Sequence, residues 1–225
     1  MSAVELELRN QILDVIKQEP LAVHGRAGET PLSTLASRFN KYDEGDALVA
    51  VEALATIIDN PPDNLTMDLK ISFWQEITFL TNYLPHSKSG LIEKYRARLF
   101  GDTKLDNELR VYALHGFISS GGVLTKDDLM GDLVFLRART PIAWVGAAIS
   151  SGLFAFAKRQ IRLLLQEGAI SSLSSVRTLG IALHSWRKQW PKERAFERMI
   201  KKFPEFIHDG EGRAYMIKWL RTYNW

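Results

Sequence analysis

Two stretches, Leu48-Val-Ala-Val-Glu-Ala-Leu-Ala-Thr-Ile-Ile58 and Leu69-Lys-Ile-Ser-Phe-Trp-Gln-Glu-Ile-Thr-Phe-Leu80, decide the fold. In the segment 44–58, Leu48, Val51, Leu54, Ala55 and Ile58 share one helical face. Over 66–84, Leu69, Phe73, Ile77, Leu80 and Leu84 do the same. Between them Asn60-Pro-Pro-Asp63 forces a break, because proline removes a backbone donor and turns its predecessor away from helical angles. The same spacing recurs outward along the chain. Leu105, Leu109, Tyr112, Ala113 and Phe117 form a further stripe, which Gly121-Gly122 terminates. Thr125 with Asp128 reads as a capping box, and the prolines of Thr140-Pro141 and Trp190-Pro191 stand where a first helical turn tolerates them. No clear alternation of period two occurs, so the expectation is an all-α chain of about ten to thirteen helices joined by short turns. Glu19 to Thr30, with Pro20, Gly25 and Gly28, is the one long irregular stretch.

The chain has 225 residues, of which 46% are hydrophobic and none is cysteine. That length and composition suit a single all-helical domain over 1–225 and exclude a disordered chain, a disulfide scaffold and a thiol enzyme. The net charge of +3 conceals a polarity: residues 1–130 hold 13 Lys/Arg against 19 Asp/Glu, and residues 151–225 hold 14 against 6. An acidic half and a basic half allow an anionic partner for the basic end or self-association between copies. Met1-Ser-Ala-Val-Glu-Leu-Glu-Leu-Arg9 lacks the basic start and apolar run of a signal peptide, so a cytoplasmic protein is expected. The uncharged run Thr140–Ala157 just reaches membrane-spanning length. It is interrupted by Pro141, Gly146 and Ser150-Ser151-Gly152, and reads instead as two core helices with no membrane partner.

Three segments look alike: Leu109-Arg-Val-Tyr-Ala-Leu-His-Gly-Phe-Ile118, Ala143-Trp-Val-Gly-Ala-Ala-Ile149 and Val176-Arg-Thr-Leu-Gly-Ile-Ala-Leu183. Aligning Ala113, Ala147 and Ala182 spaces them as helical-hairpin repeats are spaced. Asp106 with Leu109-Arg110-Val111 and Ala113-Leu114 resembles the inner-helix signature of HEAT-like repeats, and Val176-Arg177 with Ala182-Leu183 repeats part of it. Over about residues 103–203 the resemblance implies stacked helical hairpins used as a binding platform. The alternative architecture is an irregular helical bundle.

Catalytic and metal motifs are missing. His24, His86, His115, His184 and His208 form no helical His-x-x-x-His pair, and Glu205-Phe-Ile-His208 is a lone Glu-x-x-His where a di-iron bundle needs two. No phosphate loop, dinucleotide fingerprint or nucleophile elbow occurs, and Asp43-Glu44-Gly45-Asp46 lacks calcium-loop spacing and suits a helix cap. No enzyme activity, cofactor or metal is expected.

The candidate surface is the run Trp186–Lys202. At about 100° per residue, Arg194, Arg198, Lys201 and Lys202 share one face, opposite Phe196, Met199, Ile200 and Phe203. Arg187, Lys188 and Lys192 stand close in sequence. Glu193 and Glu197 interrupt the run, and Glu197 has the spacing to pair with Lys201. Trp186 and Trp190 share a face with Leu179 and Leu183, which suits a core role, and the aromatic tail Arg213–Trp225 suits a cap. These residues point to a non-enzymatic interaction module of helical-repeat type that binds another protein through its second half. The alternative is a nucleic-acid-binding protein using the basic face around 187–202.

Overall fold

The structure, a computed structural model, describes residues 1–18, 31–85, 88–101, 106–187 and 194–225. The irregular stretch Glu19–Thr30, His86, Leu105, Lys188, Lys192, Glu193 and Trp190-Pro191 lie outside the described residues. Among the described residues there are fourteen α-helices and no strand. They divide into two compact units, residues 1–122 and 123–225.

The first unit holds α1 (Ala3–Gln18), α2 (Pro31–Phe39), α3 (Glu44–Asp59), α4 (Met67–Asn82), α5 (Ser89–Arg96), which continues into a π-helical turn Ala97–Gly101, and α6 (Asn107–Ser119). Consecutive helices pair: α1 with α2, α3 with α4, α5 with α6. Alternate helices also pack, α1 on α3 on α5 in one row and α2 on α4 on α6 in another. Asp43 caps α3 by accepting from the Asp46 N–H at 2.9 Å, and α4 starts at Met67 beyond the two prolines. A polar seam fixes α4 against its neighbours. The Gln75 amide donates to the Tyr112 hydroxyl at 2.7 Å, Thr78 donates to the Tyr112 carbonyl at 3.3 Å, and the Thr81 and buried Tyr95 hydroxyls share a hydrogen bond of 2.8 Å.

Leu48 departs from the expected core face and is 51% exposed. Because α3 packs on α1, α4 and α5, it is buried nearly all round, and its open stripe is Leu48, Glu52 and part of Thr56. Val51, Leu54, Ala55 and Ile58 of the expected stripe are buried, and Ala47, Ala50, Ala53 and Ile57 are buried beside them.

The second unit holds α7 (Lys126–Met130), α8 (Val134–Arg139), α9 (Pro141–Ser150), α10 (Phe154–Gln166), α11 (Leu173–Trp186), α12 (Arg194–Lys201), α13 (Phe203–Phe206) and α14 (Gly210–Thr222). Here α9, α11 and α14 make one row, α10 packs on both α9 and α13, and α13 packs on α14. The capping box at Thr125 and Asp128 is formed, Pro141 opens α9, and Gly152, at φ +76°, turns the chain between α9 and α10. Residues 144–149 of α9 are fully buried, in keeping with a core helix, and among the described residues no helix is long and apolar enough to cross a membrane.

Aromatic side chains pack over glycines where helices approach. The Trp186 ring of α11 lies over Gly146 of α9, and the Trp219 ring of α14 over Gly180 of α11, so that added Cβ atoms would sit 2.9 and 3.1 Å away. The three similar segments fall on α6, α9 and α11. Of the aligned alanines, Ala113 and Ala147 are buried and Ala182 is half-buried. In α9 and α11 the tryptophan rings rest instead on Gly146 and Gly180.

Candidate interaction surface

Helix α12 and the start of α13 place three of the expected cations in solvent. Arg198, Lys201 and Lys202 are exposed, while Ile200 and Phe203 beneath them are fully buried and Met199 is half-buried. Burial of an apolar side chain contributes about 1.5–3 kcal/mol, so the underside fixes the helix and leaves its outer face free of a packing role. Arg194 opens α12. The Glu197–Lys201 pair allowed by the spacing is not among the ion pairs of the described residues.

Sequence reading missed the neighbouring helix. Arg159 and Arg162 are exposed on α10, opposite the buried Ala157, Gln160, Ile161, Leu164 and Leu165, and the Arg162 guanidinium lies 5.8 Å from the centroid of the Phe206 ring of α13. That contact joins the α10 stripe to α13. The signal was present in the i, i+3 spacing of Arg159 and Arg162, but only tertiary packing sets α10 beside α13. Exposed Glu197 and Glu205 lie on the same pair of short helices, so the surface is cationic with two interruptions.

Arg187 is differently placed. It donates from Nη1 to the Tyr223 carbonyl at 3.0 Å, and its guanidinium lies 4.8 Å from the centroid of the Trp225 ring. It therefore holds the C-terminal turn while remaining exposed. Asn224, at φ +50°, reverses the chain there, and the Trp225 N–H reaches back to the Leu220 carbonyl at 3.2 Å. This is the six-to-one bond of a helix-terminating Schellman turn. It returns Trp225 to stack on Trp219, with ring centroids 5.8 Å apart.

A second concave feature belongs to the first unit. A half-open cleft of about 490 Å³ lies between the α3–α4 turn and the π-helical turn, lined by Pro61, Pro62, Lys70, Trp74 and Arg98. Its volume is in the range of small-molecule sites. Arg98 already donates to the Ile58 carbonyl at 3.0 Å and the Asp59 carbonyl at 2.6 Å, closing the end of α3. Among the described residues no group of three His, Asp or Glu side chains gathers to hold a metal ion. Exposed His115, His184 and His208 stand apart on α6, on α11 and before α14.

Searches of family models, of curated proteins and of solved structures find no match to this chain.

Proposed function

We propose that the chain is a non-enzymatic, HEAT-like helical-repeat module that works in the cytoplasm without a cofactor and binds an acidic protein partner through its second half. The row-wise packing of alternate helices supports the repeat architecture, since stacked hairpins bury their faces in that order. The observation that carries the binding reading is the exposure of Arg198, Lys201 and Lys202 above the fully buried Ile200 and Phe203. Charge follows the division into units: residues 1–122 hold 12 Lys/Arg against 17 Asp/Glu, and residues 123–225 hold 17 against 9. Glu197 and Glu205 favour a protein over a polyphosphate, because mixed charge selects a complementary mixed surface and each acid repels a phosphate. Trp144 and Trp219 are packed inside and offer no stacking platform for bases.

The test is the triple reversal Arg198→Glu, Lys201→Glu and Lys202→Glu, compared with the unaltered protein by crosslinking and affinity purification from the native host. An acidic protein captured by the unaltered chain and lost from the variant is the expected result, with unfolding free energy changed by no more than about 0.5 kcal/mol. Identical partners for both proteins would refute the assignment. The second reading, nucleic-acid binding, rests on the five-cation surface formed with Arg159 and Arg162. It would displace the first if labelled DNA or RNA bound at low salt, weakened by about 10²-fold or more between 50 and 200 mM salt, and bound the variant no longer.

A further inference from the structure

Two exposed large apolar residues stand in surroundings of opposite charge. On α3, Leu48 is bracketed by exposed Glu44 and Glu52, each four residues away and so about 6 Å along the axis. The helix contains no Lys or Arg. On α11, Ile181 is 69% exposed, and the helix contains no Asp or Glu.

Ile181 is on α11, which packs along α14 with the two helices running in the same direction. Arg177 lies over the Tyr215 ring at 5.7 Å, Gly180 meets Trp219, His184 packs on Tyr223 at 4.9 Å, and Arg187 lies over Trp225. Exposed Lys218 and Arg221 add to the charge, and Glu211 in the first turn is the one acid of α14. A lone exposed leucine or isoleucine is ordinary on a protein surface. An exposed isoleucine one turn from exposed Arg177, on a helix without acids, is matched in sign on this same chain by Leu48 between its two glutamates.

We propose that two copies associate head to tail, with the Glu44–Leu48–Glu52 face of α3 in one copy seated on the face of α11 that carries Arg177 and Ile181 in the next. Leu48 and Ile181 exclude water from each other, and a flanking carboxylate of α3 meets the Arg177 guanidinium. The two faces differ, so the contact is heterologous. It uses none of Arg198, Lys201 and Lys202, and stands independently of the function proposed above.

Sedimentation equilibrium of the full chain tests the contact. At low salt the average mass rises with concentration, and added salt returns it toward monomer. Leu48→Asp blocks one face and Arg177→Glu with Ile181→Glu blocks the other; each variant alone is expected to be monomeric. Both blocked faces are acidic, so an equimolar mixture can join only through its two intact faces and stops at dimers. Circular dichroism checks that the variants fold, and Leu48→Ser with Ile181→Ser repeats the test without added charge. A monomeric unaltered chain at every concentration, a variant that associates as the unaltered chain does, or a mixture that fails to pair overturns the proposal. Association lost only in the α11 variant, with labelled nucleic acid binding the unaltered chain and not that variant, would also overturn it, by assigning that face to a polyphosphate.

Discussion

Gly116 shows how a single position sets the spacing of two helices. An added Cβ there would lie 2.2 Å from the Tyr95 ring, which is fully buried and tied to Thr81, so the ring has no room to yield. Gly116→Ala is expected to lower the unfolding free energy by about 1–3 kcal/mol despite the better helix propensity of alanine, and thermal or urea unfolding measures it. Tyr95 also carries a pH signature. Burial holds its phenol above the usual tyrosine range, offset in part by the Thr81 hydrogen bond. The folded state then favours the protonated form, so the Tyr95 contribution is intact below about pH 10 and declines as pH rises beyond it. Tyr95→Phe should cost about 1 kcal/mol at neutral pH through the lost hydrogen bond and should soften the alkaline decline; an unchanged decline would place its origin elsewhere.

At the scale of elements, legibility followed the range of the interactions. Asn60-Pro-Pro-Asp63, Gly121, the Thr125–Asp128 box and the Ser150-Ser151-Gly152 break act within a few residues, and the helices begin and end at them. Thr125→Ala is expected to cost about 1 kcal/mol, read from the shift in the unfolding midpoint, because it removes an oxygen that accepts from the Asp128 N–H at 3.0 Å. Leu48 was misjudged because a face count assumes one buried stripe, whereas α3 packs on three helices and opens along Leu48 and Glu52. The outer and inner faces of α12 were readable from 198 to 203, where charge and apolarity alternate with the helical turn. The partnership of α10 with α13, and the engagement of Arg187 by Tyr223 and Trp225, join residues 36 or more apart and left no local mark.

At the scale of the molecule, the all-helical class was legible because periodicity is written into every segment, and the order of packing was not, since it depends on which faces meet. The central claim is that alternate helices stack in rows, α9, α11 and α14 in one and α10 with α13 beside it. The chain has no cysteine, so introduced thiols report without background. The most direct measurement is crosslinking, by a flexible bis-maleimide long enough to span the side chains removed, of two double variants, Arg162→Cys with Phe206→Cys across α10 and α13, and Arg177→Cys with Tyr215→Cys across α11 and α14. Rapid intramolecular crosslinking in both is the expected result; failure of either pair to crosslink, in a variant that retains its helical circular dichroism, would contradict the row arrangement.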